Sequence, residues 1–189
     1  AVIGTGMPLA AAMLAQKTTA PHLVTMFEAG SAAPELVKLP ISVADSYTQT
    51  RALLHSSMDE IMESCQRGLV DYTFLGGAQI DMYGNLNTTM IGDDYDHPKV
   101  RLPGSGGSQE IAAWANRCYI MTPHQKRRFP EKVEFMTSAG FIGGKGDREN
   151  AGLRGGGMLA VVTDIGILEP NEDGEMILTA LHPGKTAED

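Results

Sequence analysis

The chain has 189 residues, 42% hydrophobic and 20% charged, with a formal net charge of −8 at pH 7. That is enough chain for one sizeable core, while the acidic balance argues against a nucleic-acid surface, which needs concentrated Lys and Arg. Apolar runs stay well short of the roughly 18 residues of a membrane span, and the widely separated Cys65 and Cys118 give neither a disulfide framework nor a metal-ligand spacing, which suits a reducing, cytoplasmic setting.

The sequence opens abruptly. Ala1-Val2-Ile3 is strand-like and runs at once into Gly4-Thr5-Gly6, leaving no room for a preceding cap, so a segment is expected to precede this numbering. The glycines permit a tight turn, Pro8 suits a first helical turn, and residues 9–16 are helix formers. The Gly-Lys-Ser/Thr ending of a phosphate loop and the spacing of a dinucleotide fingerprint are both missing, so a close backbone turn is the reading. Residues 22–27 are the next strand, giving a β-α-β unit with a parallel pair. In Val24-Thr25-Met26-Phe27-Glu28-Ala29-Gly30 an apolar run meets one carboxylate and then small residues, which puts Glu28 at a strand tip. Loops past the carboxyl ends of parallel strands form the ligand crevice. A lone Glu there is as readily a solvated loop residue, and this stretch does not choose.

Residues 31–51 are irregular, broken by Pro34 and Pro40. Residues 52–67 read as a helix whose stripe is Leu53, Leu54, Met58, Ile61, Met62 and Cys65, stopped by Gly68. A strand over 70–77 ends in Gly76-Gly77, and Tyr83-Gly84-Asn85 marks a short hairpin or bulged connection into a strand over 86–91. Gln79 and Asn85 could address a ligand or hold that turn, and both readings stand. Asp93-Asp94-Tyr95-Asp96-His97 lacks the remaining features of a calcium loop, so a solvated acidic loop is preferred. Gly104-Ser105-Gly106-Gly107 precedes a helix over 111–115 with Ser108 as cap, and offers either an anion cradle or a plain glycine-rich helix start. Lys126-Arg127-Arg128 could meet a phosphate, though a solvated loop is favoured, as it is for Arg148 and Arg154 in the glycine-rich loop 140–157. Residues 129–135, 158–163 and 176–180 complete the strands. The alternation of elements gives an α/β class with a largely parallel central sheet flanked by helices.

Glu28 within Phe-Glu-Ala-Gly, then Phe74-Leu75-Gly76-Gly77-Ala78-Gln79-Ile80-Asp81 with Tyr83-Gly84-Asn85, then Gly104-Ser105-Gly106-Gly107, in this order, resemble the β subunit of family I coenzyme A transferases of the glutaconate CoA-transferase type. The likeness continues through Gly4-Thr5-Gly6, His97-Pro98-Lys99, Lys126-Arg127-Arg128-Phe129 and Thr163-Asp164, and so over nearly the whole chain. It implies an open three-layer fold, with 1–189 one β-subunit domain that lacks an N-terminal segment and could lack a C-terminal one. The activity implied is transfer of coenzyme A from an acyl-CoA to a short-chain dicarboxylic or 3-oxo acid, with Glu28 as nucleophile and later carrier of a glutamyl-CoA thioester. Neither cofactor nor metal is implied; coenzyme A is substrate and covalent intermediate. Gly106 and Gly107 match the oxyanion hole, and Gly76, Gly77, Gln79, Asn85 and Gly104 match neighbours of the substrate. An α subunit of the same family is the implied partner, with neither nucleic acid nor membrane. The chain departs from the pattern at Ala29, where many relatives carry Ser or Asn. Relatives on this fold include CoA-ester decarboxylases and carbon-carbon hydrolases, which are the alternative, and a subunit whose partner holds the chemistry is a third reading.

Overall fold

A computed structural model describes residues 1–188. In chain order, β1 (Val2–Ile3) leads into α1 (Met7–Lys17), followed by β2 (Met26–Phe27), β3 (Ser31–Ala32) and β4 (Leu54–His55). Next come α2 (Met58–Gln66), β5 (Thr73–Leu75), the paired β6 (Gln79–Ile80) and β7 (Leu86–Asn87), and the paired β8 (Met90–Ile91) and β9 (Val100–Arg101). The remaining elements are α3 (Ser108–Trp114), β10 (Cys118–Met121), α4 (Asp147–Asn150), β11 (Met158–Val162), β12 (Gly166–Pro170) and β13 (Met176–Leu181).

Nine strands form one sheet in the order β13-β12-β11-β10-β5-β1-β2-β3-β4. The five from β11 to β2 are parallel, and antiparallel strands extend the sheet at both edges. Parallel pairing puts the carboxyl ends of those five strands on one rim. From β1 the chain places β2 on one side and β5 on the other, so the order of strands reverses beside β1. Crevices at such points are where open α/β sheets take their ligands.

Alternation along the strands separates two cores. Val2, Leu75, Cys118 and Ile120 point to one face and pack with Ile61 of α2 and with Ile111 and Ala112 of α3. Ile3 and Phe27 point to the other face, against Leu9 and Ala12 of α1. The register Val2↔Thr73 and Ile3↔Phe74 keeps like faces together across the ladder. Helices on both faces make three layers. Phe27 and Leu9 are fully buried, each stabilising the fold by about 1.5–3 kcal/mol relative to exposure.

Several boundaries differ from expectation. The helix expected over 52–67 begins only at Met58, because Ser57 caps it: Glu60 Oε2 accepts from Ser57 N–H at 3.1 Å in a capping box. Leu54 instead belongs to β4, and Leu53 is 88% exposed rather than part of the core stripe. The strand expected over 129–135 does not form. The strand between β5 and β11 is instead β10. Of the strand expected over 22–27 only Met26–Phe27 forms.

Both cysteines are buried and unpaired, and burial pushes the Cys65 thiol up to about 11 and raises that of Cys118 as well, so neither is a thiolate near neutral pH. Among the described residues no helix is long and apolar enough to cross a membrane, and no group of three or more His, Cys, Asp or Glu is placed to hold a metal ion. In the acidic loop, His97 Nδ1 lies 3.1 Å from Asp94 Oδ2, with both side chains open to solvent.

Candidate active site

Glu28 is set by a three-residue hairpin loop. Phe27 pairs with Ser31, and Gly30 N–H donates to Phe27 O at 2.9 Å to close the turn. Gly30 has φ +112°, and a Cβ there would collide with Ser56 O, so the third loop position has to be glycine. Ser56 N–H and Oγ–H both donate to Gly30 O, at 2.7 and 3.0 Å, and tie the loop to the start of α2. The half-buried Glu28 side chain therefore projects from a rigid turn at the carboxyl end of β2.

The glycine-rich stretch meets it. Gly107 N–H donates to Glu28 Oε2 at 3.2 Å. Gly107 is the N-cap of α3 and Ser108 its first residue, one position away from the expected cap. Ser108 Oγ is held by Ser138 Oγ at 2.9 Å, and Gly104 N–H by Thr88 O at 2.8 Å. Gly106 has φ +49°, and its N–H has no protein acceptor among the described residues. A Cβ on Gly107 would stand 2.6 Å from Glu28 Oε2 and would strike Met62 Cε. The close approach of the carboxylate to this backbone thus requires glycine. Gly107→Ala is expected to lower kcat about 100-fold by displacing the carboxylate by roughly 1 Å, with the melting temperature held within a few degrees; steady-state kinetics and a thermal melt check both.

Glu28 and Gly106 together border two cavities. One, of about 400 Å³, lies at the β1–β5 crevice and is lined by Gly4, Thr5, Gly76, Gly104 and Ser105 as well. The other, of about 910 Å³, runs between α2 and α3, and every ionisable residue on its wall, from Asp59 and Glu63 to Glu110 and Glu28 itself, is acidic. The structure thus brings Glu28, Gly76, Gly104, Gly106 and Gly107 together.

It does not bring the two amides with them. Asn85 is 1% exposed, and its Oδ1 accepts from Gly140 and Ile142 N–H while its Nδ2 donates to Asp81 Oδ2 and Ile142 O. Those bonds hold Ile142 at φ +63°, an unusual conformation for a β-branched residue, so Asn85 anchors this loop. Gln79 Nε2 donates to Glu134 Oε1 at 2.9 Å, and its Oε1 accepts from Asn87 Nδ2 at 2.8 Å. Both of its polar atoms are engaged by protein, and it lines a different cavity. Gly77 stands beyond the Glu28 cavity, packed on Leu86, and its carbonyl accepts from Arg128 Nη1 at 2.9 Å. Arg148, expected in solvent, is 3% exposed and inside the protein. Thr5, Thr88 and Ser105 line the cavity without having been singled out as site residues; hydroxyls beside glycines are too common in loops to mark a site by sequence.

A carboxylate held by a glycine amide thus stands at the switch point of an open α/β sheet, where such sheets take their ligands. The comparisons with known proteins give the fold a family. A family model described as coenzyme A transferase matches residues 1–189, and the chain belongs to that family. It is 42% identical to the B subunit of 3-oxoadipate CoA-transferase from Pseudomonas knackmussii, over 98% of this chain and 72% of that protein. The crystal structure of glutaconate coenzyme A-transferase from Acidaminococcus fermentans superposes with a TM-score of 0.92 at 39% identity, covering 100% of this chain and 74% of that one. The decarboxylase AibA/AibB has the same fold, at a TM-score of 0.79 and 26% identity over 99% of this chain and 72% of that one.

Proposed function

We propose that this chain is the β-type subunit of an enzyme that moves coenzyme A between an acyl-CoA and a short-chain acid of the glutaconate or 3-oxoadipate kind, with Glu28 as the covalent carrier. The observation that carries the reading is the Gly107 N–H to Glu28 Oε2 bond on the wall of two cavities. A Glu28 oxygen attacks the thioester carbonyl carbon; the new C–O bond forms as the C–S bond breaks, giving a mixed anhydride and CoA thiolate. The thiolate then attacks the glutamyl carbon and releases the donor's carboxylate, leaving a glutamyl-CoA thioester. An acceptor acid reverses both steps. No oxidant or reductant enters, and the single charge passes from carboxylate to thiolate and back.

Two of these attacks place negative charge on a Glu28 oxygen. Gly107 N–H already points at that oxygen, and a donor so placed is worth about 3–4 kcal/mol in the transition state. Gly106 N–H serves the carbonyl of the substrate. The acidic wall of the larger cavity repels a free carboxylate. Groups that recognise the acid therefore come from a partner of the same family, in line with relatives that are each named as one subunit of their enzyme.

A decarboxylase or hydrolase on this fold converts one CoA ester alone, so dependence on an acceptor separates the readings. The full-length chain with its partner is expected to release no free CoA from acyl-CoA alone, and to show ping-pong kinetics once glutarate, acetate or another short acid is supplied. Turnover at full rate without any acceptor overturns the transferase reading.

A further inference from the structure

A third cavity borders the same segments as the Glu28 cavity. It measures about 520 Å³ and is lined by Gln79, Leu102, Arg127, Arg128 and Glu134. Its walls are the next residues of the same two segments that line the Glu28 cavity: Gly76 borders one and Ala78 the other, Pro103 borders one and Leu102 the other. The two cavities thus stand against neighbouring residues of the same two segments.

The basic turn is built to stay beside the third cavity. Lys126–Arg128 is a single 3-10 turn. On its leading side His124 N–H donates to Asp164 Oδ1 at 2.6 Å and the His124 ring stacks on Phe129, with centroids 4.9 Å apart. Arg128 Nη1 reaches Gly77 O, and Gln125 Oε1 accepts from Arg127 Nε at 3.1 Å. The Nη groups of Arg127 have no protein acceptor among the described residues. The acid in the cavity, Glu134, has one oxygen on Gln79 Nε2 and the other on Gly92 N–H, and the charge of Lys99 also bears on it. Local charge is therefore net positive in a chain that is otherwise acidic.

The spacing matches one ligand. Strands stand about 4.8 Å apart, so the tips of β5 and β10 lie roughly 10 and 14 Å along the rim from the tip of β2, where Glu28 is. The arm from the sulfur of coenzyme A to its pyrophosphate has roughly thirteen bonds, equivalent to about four residues of extended chain and so about 14 Å. The geometry points to Arg127 and Arg128 as the site that binds the phosphates of coenzyme A while its thiol end lies at Glu28. This rests on the transfer reading for the identity of the ligand, but binding tests it without turnover.

The test is the equilibrium Kd of CoA, 3′-dephospho-CoA and pantetheine for the full-length chain assembled with its partner, by titration calorimetry. Arg127→Ala is expected to raise the Kd of CoA about tenfold, the loss of one charged hydrogen bond, and to leave that of pantetheine, which carries no phosphate, where it was. Arg127→Glu gives a larger loss; its exposed side chain makes it compatible with folding. A loss shared by dephospho-CoA assigns the arginine to the pyrophosphate, and a loss confined to CoA assigns it to the ribose phosphate; either supports the site. Equal weakening of CoA and pantetheine, or no change in either, overturns it. A wild-type enzyme without a Glu28 adduct whose CoA affinity still depends on Arg127 keeps this site and removes only the transfer chemistry.

Discussion

Glu28→Gln is expected to lower kcat by a factor on the order of 10⁵, the range in which removal of a covalent nucleophile falls, and to leave the fold intact. The amide is nearly isosteric with the carboxylate and can still accept from Gly107 N–H, so packing is preserved. What disappears is the attacking oxygen. Glu28→Asp separates chemistry from position, because it retains the charge but withdraws it by about one C–C bond, about 1.5 Å. A misplacement of that size costs about 100-fold, so the aspartate variant should keep far more activity than the glutamine one. Stopped-flow or steady-state assays of both variants, beside a melt to confirm folding, check the ordering. If glutamine and aspartate are equally impaired, position rather than nucleophilicity is what Glu28 supplies.

The second large effect is on stability. Arg148→Met is expected to destabilise the protein by about 3–5 kcal/mol, lowering Tm by roughly 10–15 °C for a domain of this size. Arg148 Nη1 donates to Ala139 O and Gly140 O at 2.9 and 2.7 Å, and Nη2 to Ala112 O and Gly155 O at 3.0 and 3.1 Å. No carboxylate pairs with it among the described residues; carbonyl dipoles take the place of solvent, and burial lowers its pKa from the ordinary value. Removing it orphans several buried carbonyls, each costing about 1–3 kcal/mol before relaxation. Arg148→Lys keeps the charge but cannot serve two pairs of acceptors with a planar fork, and should recover less than half of the loss. Since Ala112 belongs to α3, whose N-cap is Gly107, the substitution should also loosen the backbone facing Glu28. Thermal unfolding by circular dichroism checks it, and a Tm change under about 3 °C contradicts the clamp.

How far the sequence could be read depended on whether an element's partners were close in the chain. The Glu28 turn was legible because its causes are local: an apolar run, a short loop, and Gly30 where a side chain has no room. The glycines before α3 were legible for the same reason, as were α1, β11 and β13. The start of α2 had a local signal too, the Ser57–Glu60 capping box, but the apolar periodicity from Leu53 onward outweighed it; Leu54 is claimed by a strand whose partner is Ala32. Strands of two residues, such as β3 and β4, leave no periodicity to find. The roles of Gln79, Asn85 and Arg148 were out of reach because their partners are distant: Glu134 for Gln79, Ile142 for Asn85, and Ala112 for Arg148. A polar residue beside glycines looks the same whether it faces a ligand or anchors a loop.

The account is tested most directly by the covalent state of one side chain. Full-length enzyme with its partner is incubated with acyl-CoA, reduced with borohydride, digested, and the peptide carrying Glu28 is weighed by mass spectrometry. Reduction of a glutamyl thioester turns the Glu28 carboxyl into an alcohol, so the expected result is that mass change at Glu28, dependent on acyl-CoA and absent from Glu28→Gln. An enzyme that turns over with its acceptor while Glu28 stays unmodified would contradict the account.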